Sequence, residues 1–183
     1  MSTSSSKMKV GILGGTFDPV HPGHISLAEQ AMEALQLDKV LFVPTYIPVF
    51  KRERSIADAN VRIEAIREMI KDYPKFDISM VDIERGVDTY TIDTVQDLKV
   101  RYPEAELIFI AGADVLGTLH MWKDIETLLS MVRFAVVSRP GFALELTSHL
   151  SKYRDRFTLL ELDTPNISST MLRMSLAKLA KVE

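Results

Sequence analysis

Short apolar runs rich in β-branched residues alternate along the chain with amphipathic stretches. Continuous apolar runs predict buried strands, whereas apolar positions three and four apart predict helices with one buried face. The predicted strands cover residues 9–13, 39–43, 76–81, 106–111, 133–138 and 157–162. The predicted helices cover residues 22–35, 60–71, 91–101, 125–131, 144–153 and 168–181. This alternation is typical of an α/β fold.

The order of these elements predicts a doubly wound, mostly parallel, Rossmann-like sheet with a short C-terminal helical part. No linker or repeat divides the 183 residues, so residues 8–183 are predicted to form a single domain. Residues 1–7 are rich in Ser and lack an apolar core, which predicts a disordered lead rather than a signal peptide. Ligands of such folds bind beyond the carboxyl ends of the strands, where we expect the functional residues.

Composition and charge exclude several classes of protein. The chain has 22 Lys and Arg against 25 Asp and Glu, a net charge of −3, so a duplex nucleic acid is not a predicted partner. It has no Cys, which excludes disulfide scaffolds, thiolate metal sites and cysteine nucleophiles. No apolar run approaches the roughly 18 residues of a membrane span, so no membrane partner is predicted. These features are compatible with the cytoplasmic location that we predict.

The segment directly after the first strand carries the strongest chemical signal, with the sequence GGTFDPVHPGH over residues 14–24. The pair Gly14 and Gly15 lets backbone N–H groups approach a ligand closely. His21 and His24 are three apart at the start of a predicted helix, whose N-terminus favours an anion. Together these features indicate a phosphate site. The plainer interpretation is a glycine turn followed by two surface histidines.

The string resembles the GGTFDPxHxGH signature of the HxGH nucleotidylyltransferase superfamily. Further segments resemble blocks of one branch, the bacterial nicotinate-mononucleotide adenylyltransferases, and Trp122 and the pair Tyr90-Thr91 are the discriminating residues. These segments lie at residues 43–51, 89–95, 112–129 and 167–173. The resemblance therefore runs from Val10 to about Arg173. Phe50 departs from the family, which usually has His at that position.

The resemblance implies a nucleotidyltransferase of NAD biosynthesis. ATP would donate its adenylyl group to nicotinate mononucleotide, giving deamido-NAD and pyrophosphate. The nucleophile would be a phosphate oxygen that is already anionic, so catalysis needs positioning and charge neutralisation rather than a general base. Mg²⁺ would arrive with ATP, bridging its phosphates, and no metal site made of protein side chains is predicted.

The resemblance also implies the site residues. The predicted catalytic residues, which contact phosphate, are His21, His24, Lys51 and Arg173. The predicted ATP-binding residues are Gly14, Gly15, Thr16, Phe17, Asp114, Ser168, Ser169 and Thr170. The predicted residues for nicotinate mononucleotide are Tyr90, Thr91, Trp122 and Lys123, with Trp122 stacking on the pyridine ring and backbone N–H groups of Thr91 and Lys123 meeting its carboxylate.

Two alternatives stay open at this point. A related transferase for another acceptor, such as phosphopantetheine or glycerol phosphate, would share the first motif but leaves Tyr90, Thr91 and Trp122 unexplained. A non-catalytic nucleotide-binding regulator is a different class, and the intact phosphate-site residues argue against it. A homo-oligomer is left open.

Overall fold

The structure, a computed structural model, describes residues 6–48, 56–138 and 145–161. Within these residues, six parallel strands form the central sheet. The strands are β1 (Lys9–Gly15), β2 (Lys39–Pro44), β3 (Ile47–Pro48), β4 (Phe76–Ile78), β5 (Asp88–Thr89), β6 (Glu106–Gly112), β7 (Arg133–Ser138) and β8 (Phe157–Glu161). The α-helices are α1 (Pro22–Leu35), α2 (Ala59–Ile70), α3 (Val81–Arg85), α4 (Thr91–Arg101) and α5 (Ile125–Met131). Short 3-10 helices cover Ala113–Gly117, Leu119–Met121 and Ser151–Arg156.

The sheet order is β4-β2-β1-β6-β7-β8, and β3 pairs with β5 in a separate two-stranded ladder. Every ladder is parallel. Helices cover both faces, which explains why the strands are continuous apolar runs rather than alternating ones. Apolar residues of α1 and α2 pack on one face, and those of α4 and α5 pack on the other. The predicted doubly wound fold is confirmed.

A crevice opens where the chain changes direction across the sheet. The ladder between β1 and β6 ends at the pair Ile12 and Phe109. The ladder of β1 with β2 continues to Gly15, and that of β6 with β7 continues to Gly112. The carboxyl ends of β1 and β6 therefore splay apart. Such a switch point is where open parallel sheets bind their ligands.

The strand predicted over residues 76–81 is wrong in its second half. Strand β4 ends at Ile78, and helix α3 begins at Val81. The apolar alternation of this segment suits a strand, but the carboxylate of Asp82 is buried and accepts a hydrogen bond from the hydroxyl of Thr94 at 2.7 Å. This tertiary contact decides the local structure, and a helix of five residues is too short for periodicity to reveal.

The helix predicted over residues 144–153 is also wrong. Residues 145–150 form coil and a turn, and a 3-10 helix begins only at Ser151. The hydroxyl of Ser151 donates to the carbonyl of Ser148 at 2.8 Å, and such side chains compete with helical backbone bonding. The predicted helix at 168–181 and most of the predicted lead lie outside the described residues, so the domain boundaries stay a prediction. None of the helices in the described ranges combines the length and apolar character that a bilayer span requires.

Candidate active site

The loop after β1 delivers two histidines to the first turn of α1. His21 is the N-cap, and Pro22 follows as the first helical residue, where its missing N–H costs nothing. The backbone N–H of His21 donates to Nδ1 of His24 at 3.1 Å. Because Nδ1 of His24 accepts, the hydrogen of its neutral ring is on Nε2. His24 therefore presents an N–H donor from the other side of its ring.

The two imidazoles lie against each other, with ring centroids 3.7 Å apart and ring planes tilted by 32°. His21 is only 6% exposed, and burial lowers its pKa. Burial and the neighbouring His21 lower the pKa of His24 to about 3. Nδ1 of His21 is buried without a hydrogen-bond partner among the described residues. Before an anion binds, the lowered pKa values keep both imidazoles neutral at pH 7.

Phe17 shapes the loop that precedes these histidines. Its φ is 49°, in the left-handed region that bulky residues rarely adopt, and its side chain is 2% exposed. The ring makes an edge contact with His24, at 5.0 Å between centroids. A Cβ on Gly15 would lie 3.3 Å from the Phe17 ring, so glycine leaves room for this tight loop. The buried Phe17 ring thus stabilises the conformation of this loop by packing against His24 and Gly15.

Arg62 on α2 contacts the loop that follows β1, and it was not among the residues predicted for the site. Its guanidinium donates from Nη1 to the carbonyls of Thr16 at 2.8 Å and Thr45 at 2.9 Å, and from Nε to that of Ala57 at 3.0 Å. The residue is 3% exposed. A signal was present in the sequence, because position 62 lies one helical turn before Ile66 on the apolar stripe of α2.

The segment after β6 forms the opposite side of the crevice. A 3-10 helix begins at Ala113, and Asp114 is exposed in its first turn. A Cβ on Gly112 would lie 2.6 Å from a carboxylate oxygen of Asp114. The carboxylate therefore folds back over Gly112, and a side chain at position 112 would displace it.

Tyr90 and Thr91 lie at the start of α4. Tyr90 is the N-cap, and its carbonyl accepts from the backbone N–H groups of Asp93 and Thr94 at 3.1 and 3.2 Å. Asp82, which is 1% exposed, supports this turn through its bond from the Thr94 hydroxyl. Burial raises the pKa of Asp82, and Arg85 also donates to it at 3.1 Å. The buried contacts hold the helix start in place.

Trp122 and Lys123 approach the start of α4 from the loop before α5. The ammonium of Lys123 lies 3.3 Å from a carboxylate oxygen of Asp93 and 4.6 Å from the centroid of the Tyr90 ring. Trp122 is half-buried and meets Phe109 edge-on, with ring centroids 6.0 Å apart. The structure thus brings two segments predicted for one ligand together, through a side-chain bridge that the sequence analysis did not predict.

The remaining predicted residues divide into two groups. Gly14, Gly15, Thr16 and Phe17 lie on the β1 side of the crevice with the two histidines, and Asp114 lies on the β6 side. The residues outside the described ranges are Lys51, Ser168, Ser169, Thr170 and Arg173. In the described ranges, no three His, Asp or Glu side chains group closely enough to hold a metal ion.

Comparison with known proteins decides the family. Residues 12–175 match the cytidylyltransferase-like family. A probable nicotinate-nucleotide adenylyltransferase of Corynebacterium kroppenstedtii is 43% identical over 173 residues, which cover 94% of this chain and 82% of that relative. The nicotinate-nucleotide adenylyltransferase of Bacillus subtilis is 39% identical over 167 residues, covering 90% and 84%. The chain belongs to the nicotinate-nucleotide adenylyltransferase family.

Similar solved structures agree on the fold. The nicotinic acid mononucleotide adenylyltransferase of Plasmodium falciparum, complexed with NaAD, superposes with a TM-score of 0.71 at 19% identity. The match covers 91% of this chain and 83% of that one. The predicted family, enzyme class and fold are confirmed.

Proposed function

We propose that the chain transfers the adenylyl group of ATP to nicotinate mononucleotide, forming deamido-NAD and releasing pyrophosphate, as a step of NAD biosynthesis. The observation that carries this proposal is the contacting pair His21 and His24 at the start of α1, beside the crevice between β1 and β6. Neutral N–H donors, a helix N-terminus and a glycine loop at one point suit the phosphates of a nucleotide. The names of the curated relatives supply the transferred adenylyl group and the acceptor.

In this reaction, a phosphate oxygen of nicotinate mononucleotide attacks the α-phosphorus of ATP. The new P–O bond forms as the bond to the β-phosphate oxygen breaks, and pyrophosphate leaves. The attacking oxygen is already anionic, so the site needs donors for the developing charge rather than a base. Nε2–H of His24 is one such donor. A bound phosphate would raise the pKa of both histidines and strengthen these bonds.

The nucleotide has further proposed contacts along both sides of the crevice. We assign backbone N–H groups of Gly15, Thr16 and Phe17 to phosphate and the carboxylate of Asp114 to a ribose hydroxyl. The contacts assigned to residues outside the described ranges are those of Lys51, Ser168, Ser169, Thr170 and Arg173. Mg²⁺ would enter with ATP, because its preferred ligands are phosphate oxygens and water.

Tyr90, Thr91, Trp122 and Lys123 are proposed to bind the pyridine ring. Thr91 is the first residue of α4, and the N–H of a first helical residue has no partner within the helix. A carboxylate satisfies such donors, whereas a carboxamide can present its own NH₂ to them. The ammonium of Lys123, held against Tyr90, adds positive potential on the same side. These groups favour nicotinate over nicotinamide.

The test measures pyrophosphate release by purified protein with ATP or CTP and each of several acceptors: nicotinate mononucleotide, nicotinamide mononucleotide, phosphopantetheine and glycerol phosphate. We expect turnover with ATP and nicotinate mononucleotide, and about 10- to 100-fold lower kcat/KM with the nicotinamide form, since one mispaired buried polar group costs roughly 1–3 kcal/mol. Trp122→Ala should lower kcat/KM for both pyridine acceptors by similar factors, because stacking on the ring does not distinguish a carboxylate from a carboxamide.

Equal use of the two pyridine acceptors would remove the nicotinate assignment. Turnover with phosphopantetheine or glycerol phosphate instead would indicate a related transferase, and no pyrophosphate with any acceptor would favour the regulator. The cytoplasmic location and a homo-oligomeric state stay predictions.

A further inference from the structure

Arg62 joins three segments that are distant in sequence. Thr16 belongs to the loop after β1, Thr45 directly follows β2, and Ala57 precedes α2. The Thr16 carbonyl is 46 residues from Arg62, and the Thr45 carbonyl is 17 residues away. In the sequence, Thr45 and Ala57 flank the segment that contains Lys51. One guanidinium therefore holds the phosphate loop and both flanks of the segment with the predicted catalytic lysine.

These bonds set the direction of backbone amides in the loop. In a trans peptide, the C=O and N–H bonds point in opposite directions. The Thr16 carbonyl points at Arg62, so the N–H of Phe17 points away from it. The Gly15 carbonyl accepts from the N–H of Thr45 at 2.9 Å, on the β2 side of β1. The N–H of Thr16 is consequently directed to the other side of β1, where the crevice opens toward β6.

Stability alone does not explain a buried arginine at position 62, whereas the anchoring of backbone carbonyls does. Burying a cation is costly, and a hydrophobic residue at this stripe position would avoid that cost. Burial lowers the pKa of Arg62, opposed by the charges of Asp18 and Asp58. A guanidinium offers a rigid planar fork of donors, whereas a lysine ammonium is a single point on a flexible stem. Only arginine can reach the three carbonyls with fixed geometry.

We propose that Arg62 is a positioning residue for the ATP phosphates: by anchoring the carbonyls of Thr16, Thr45 and Ala57, it aims the loop amides at the nucleotide and sets the flanks of the Lys51 segment. This inference rests on the proposed function. Arg62 acts through these neighbours, since its Nε and Nη1 donors are engaged with the protein backbone. Nicotinate mononucleotide, assigned to the α4 and Trp122 side, should be insensitive to it.

The test compares steady-state kinetics of Arg62→Lys and Arg62→Ala with those of the wild type, per folded molecule. We expect kcat/KM for ATP to fall about 10- to 100-fold in Arg62→Lys, with KM for nicotinate mononucleotide within about twofold of wild type, because small misplacements of reacting groups cost rates of this order. Arg62→Ala should lose at least as much. Thermal unfolding gives the folded fraction at the assay temperature.

Two variants on the same helix provide matched controls. Ile63→Ala removes a neighbouring buried side chain and should lower stability without shifting KM for ATP. Arg67→Lys makes the same chemical change at an exposed residue, whose ion-pair partner among the described residues is Glu64. Both should retain the ATP parameters of the wild type.

Each outcome decides one of the two claims. A wild type that releases no pyrophosphate from ATP and nicotinate mononucleotide overturns the proposed function. An active wild type with unchanged ATP kinetics in folded Arg62→Lys overturns the positioning role alone. The positioning role is also overturned if the KM values of both substrates change together, if Ile63→Ala reproduces the ATP defect, or if neither Arg62 variant folds, since Arg62 would then be purely structural.

Discussion

The two nitrogens of His24 have separable tasks, and substitutions can remove them one at a time. Nδ1 accepts from the backbone N–H of His21 at 3.1 Å, and Nε2–H is the proposed phosphate donor. In His24→Asn, the amide oxygen can replace the Nδ1 acceptor, but the donor is lost. In His24→Gln, the NH₂ group can reach the position of Nε2, but the acceptor beside the backbone is lost. His24→Ala removes both.

The magnitudes follow from what each atom contacts. Loss of one donor to developing transition-state charge costs about 10²- to 10³-fold in rate, so His24→Asn and His24→Ala should lose this much kcat. Loss of the acceptor leaves the His21 N–H at the helix start unpaired, which costs about 1 kcal/mol of the free energy of unfolding. His24→Gln should therefore be less stable than His24→Asn and retain more turnover.

The assay pairs pyrophosphate release at saturating ATP and nicotinate mononucleotide with urea unfolding of each variant. His120→Asn is a matched control, since His120 is exposed. The phosphate role would be refuted by His24→Asn with wild-type kcat. The cap role would be refuted by equal unfolding free energies of His24→Gln and His24→Asn.

Two further predictions concern charge. The folded-state pKa of His24, about 3, lies below the ordinary histidine value of 6.5, so the unfolded chain binds the proton first as the pH falls. The stability contribution of neutral His24 is intact above pH 6.5 and is lost between pH 6.5 and about 3. Between pH 7.5 and pH 5, the free energy of unfolding measured with urea should fall by up to about 2 kcal/mol more in the wild type than in His24→Asn. Equal decreases in the two proteins would contradict this prediction. Lys123→Met removes the ammonium that bridges Asp93 and Tyr90. This substitution should raise KM for nicotinate mononucleotide about 3- to 10-fold, as expected for a partly exposed ion pair with a cation–π contact, and leave KM for ATP unchanged. An unaltered KM for nicotinate mononucleotide would show that Lys123 does not contribute to acceptor binding.

The strands and long helices could be predicted because their signals are local. A run such as residues 40–43 is apolar throughout, which suits a strand buried on both faces. The loop motif is also local, since Gly14, Gly15, His21 and His24 lie within eleven residues. The two wrong predictions, at residues 76–81 and 144–153, fall on short segments whose local pattern fits more than one structure. There, contacts made elsewhere in the fold decided the outcome.

The sequence by itself determined the sheet class, the family and the chemistry of the phosphate loop, because each depends on residue types at short, regular spacing. The tertiary structure alone decided which distant groups meet. Helical periodicity places Arg62 on a buried stripe, yet its carbonyl partners come from loops brought together by the pairing of β1 with β2. Likewise, Lys123 reaches Asp93 across 30 residues of chain. The protonation state of His24 also depends on the fold, because burial lowers its pKa and the side chain is buried only after the chain has packed.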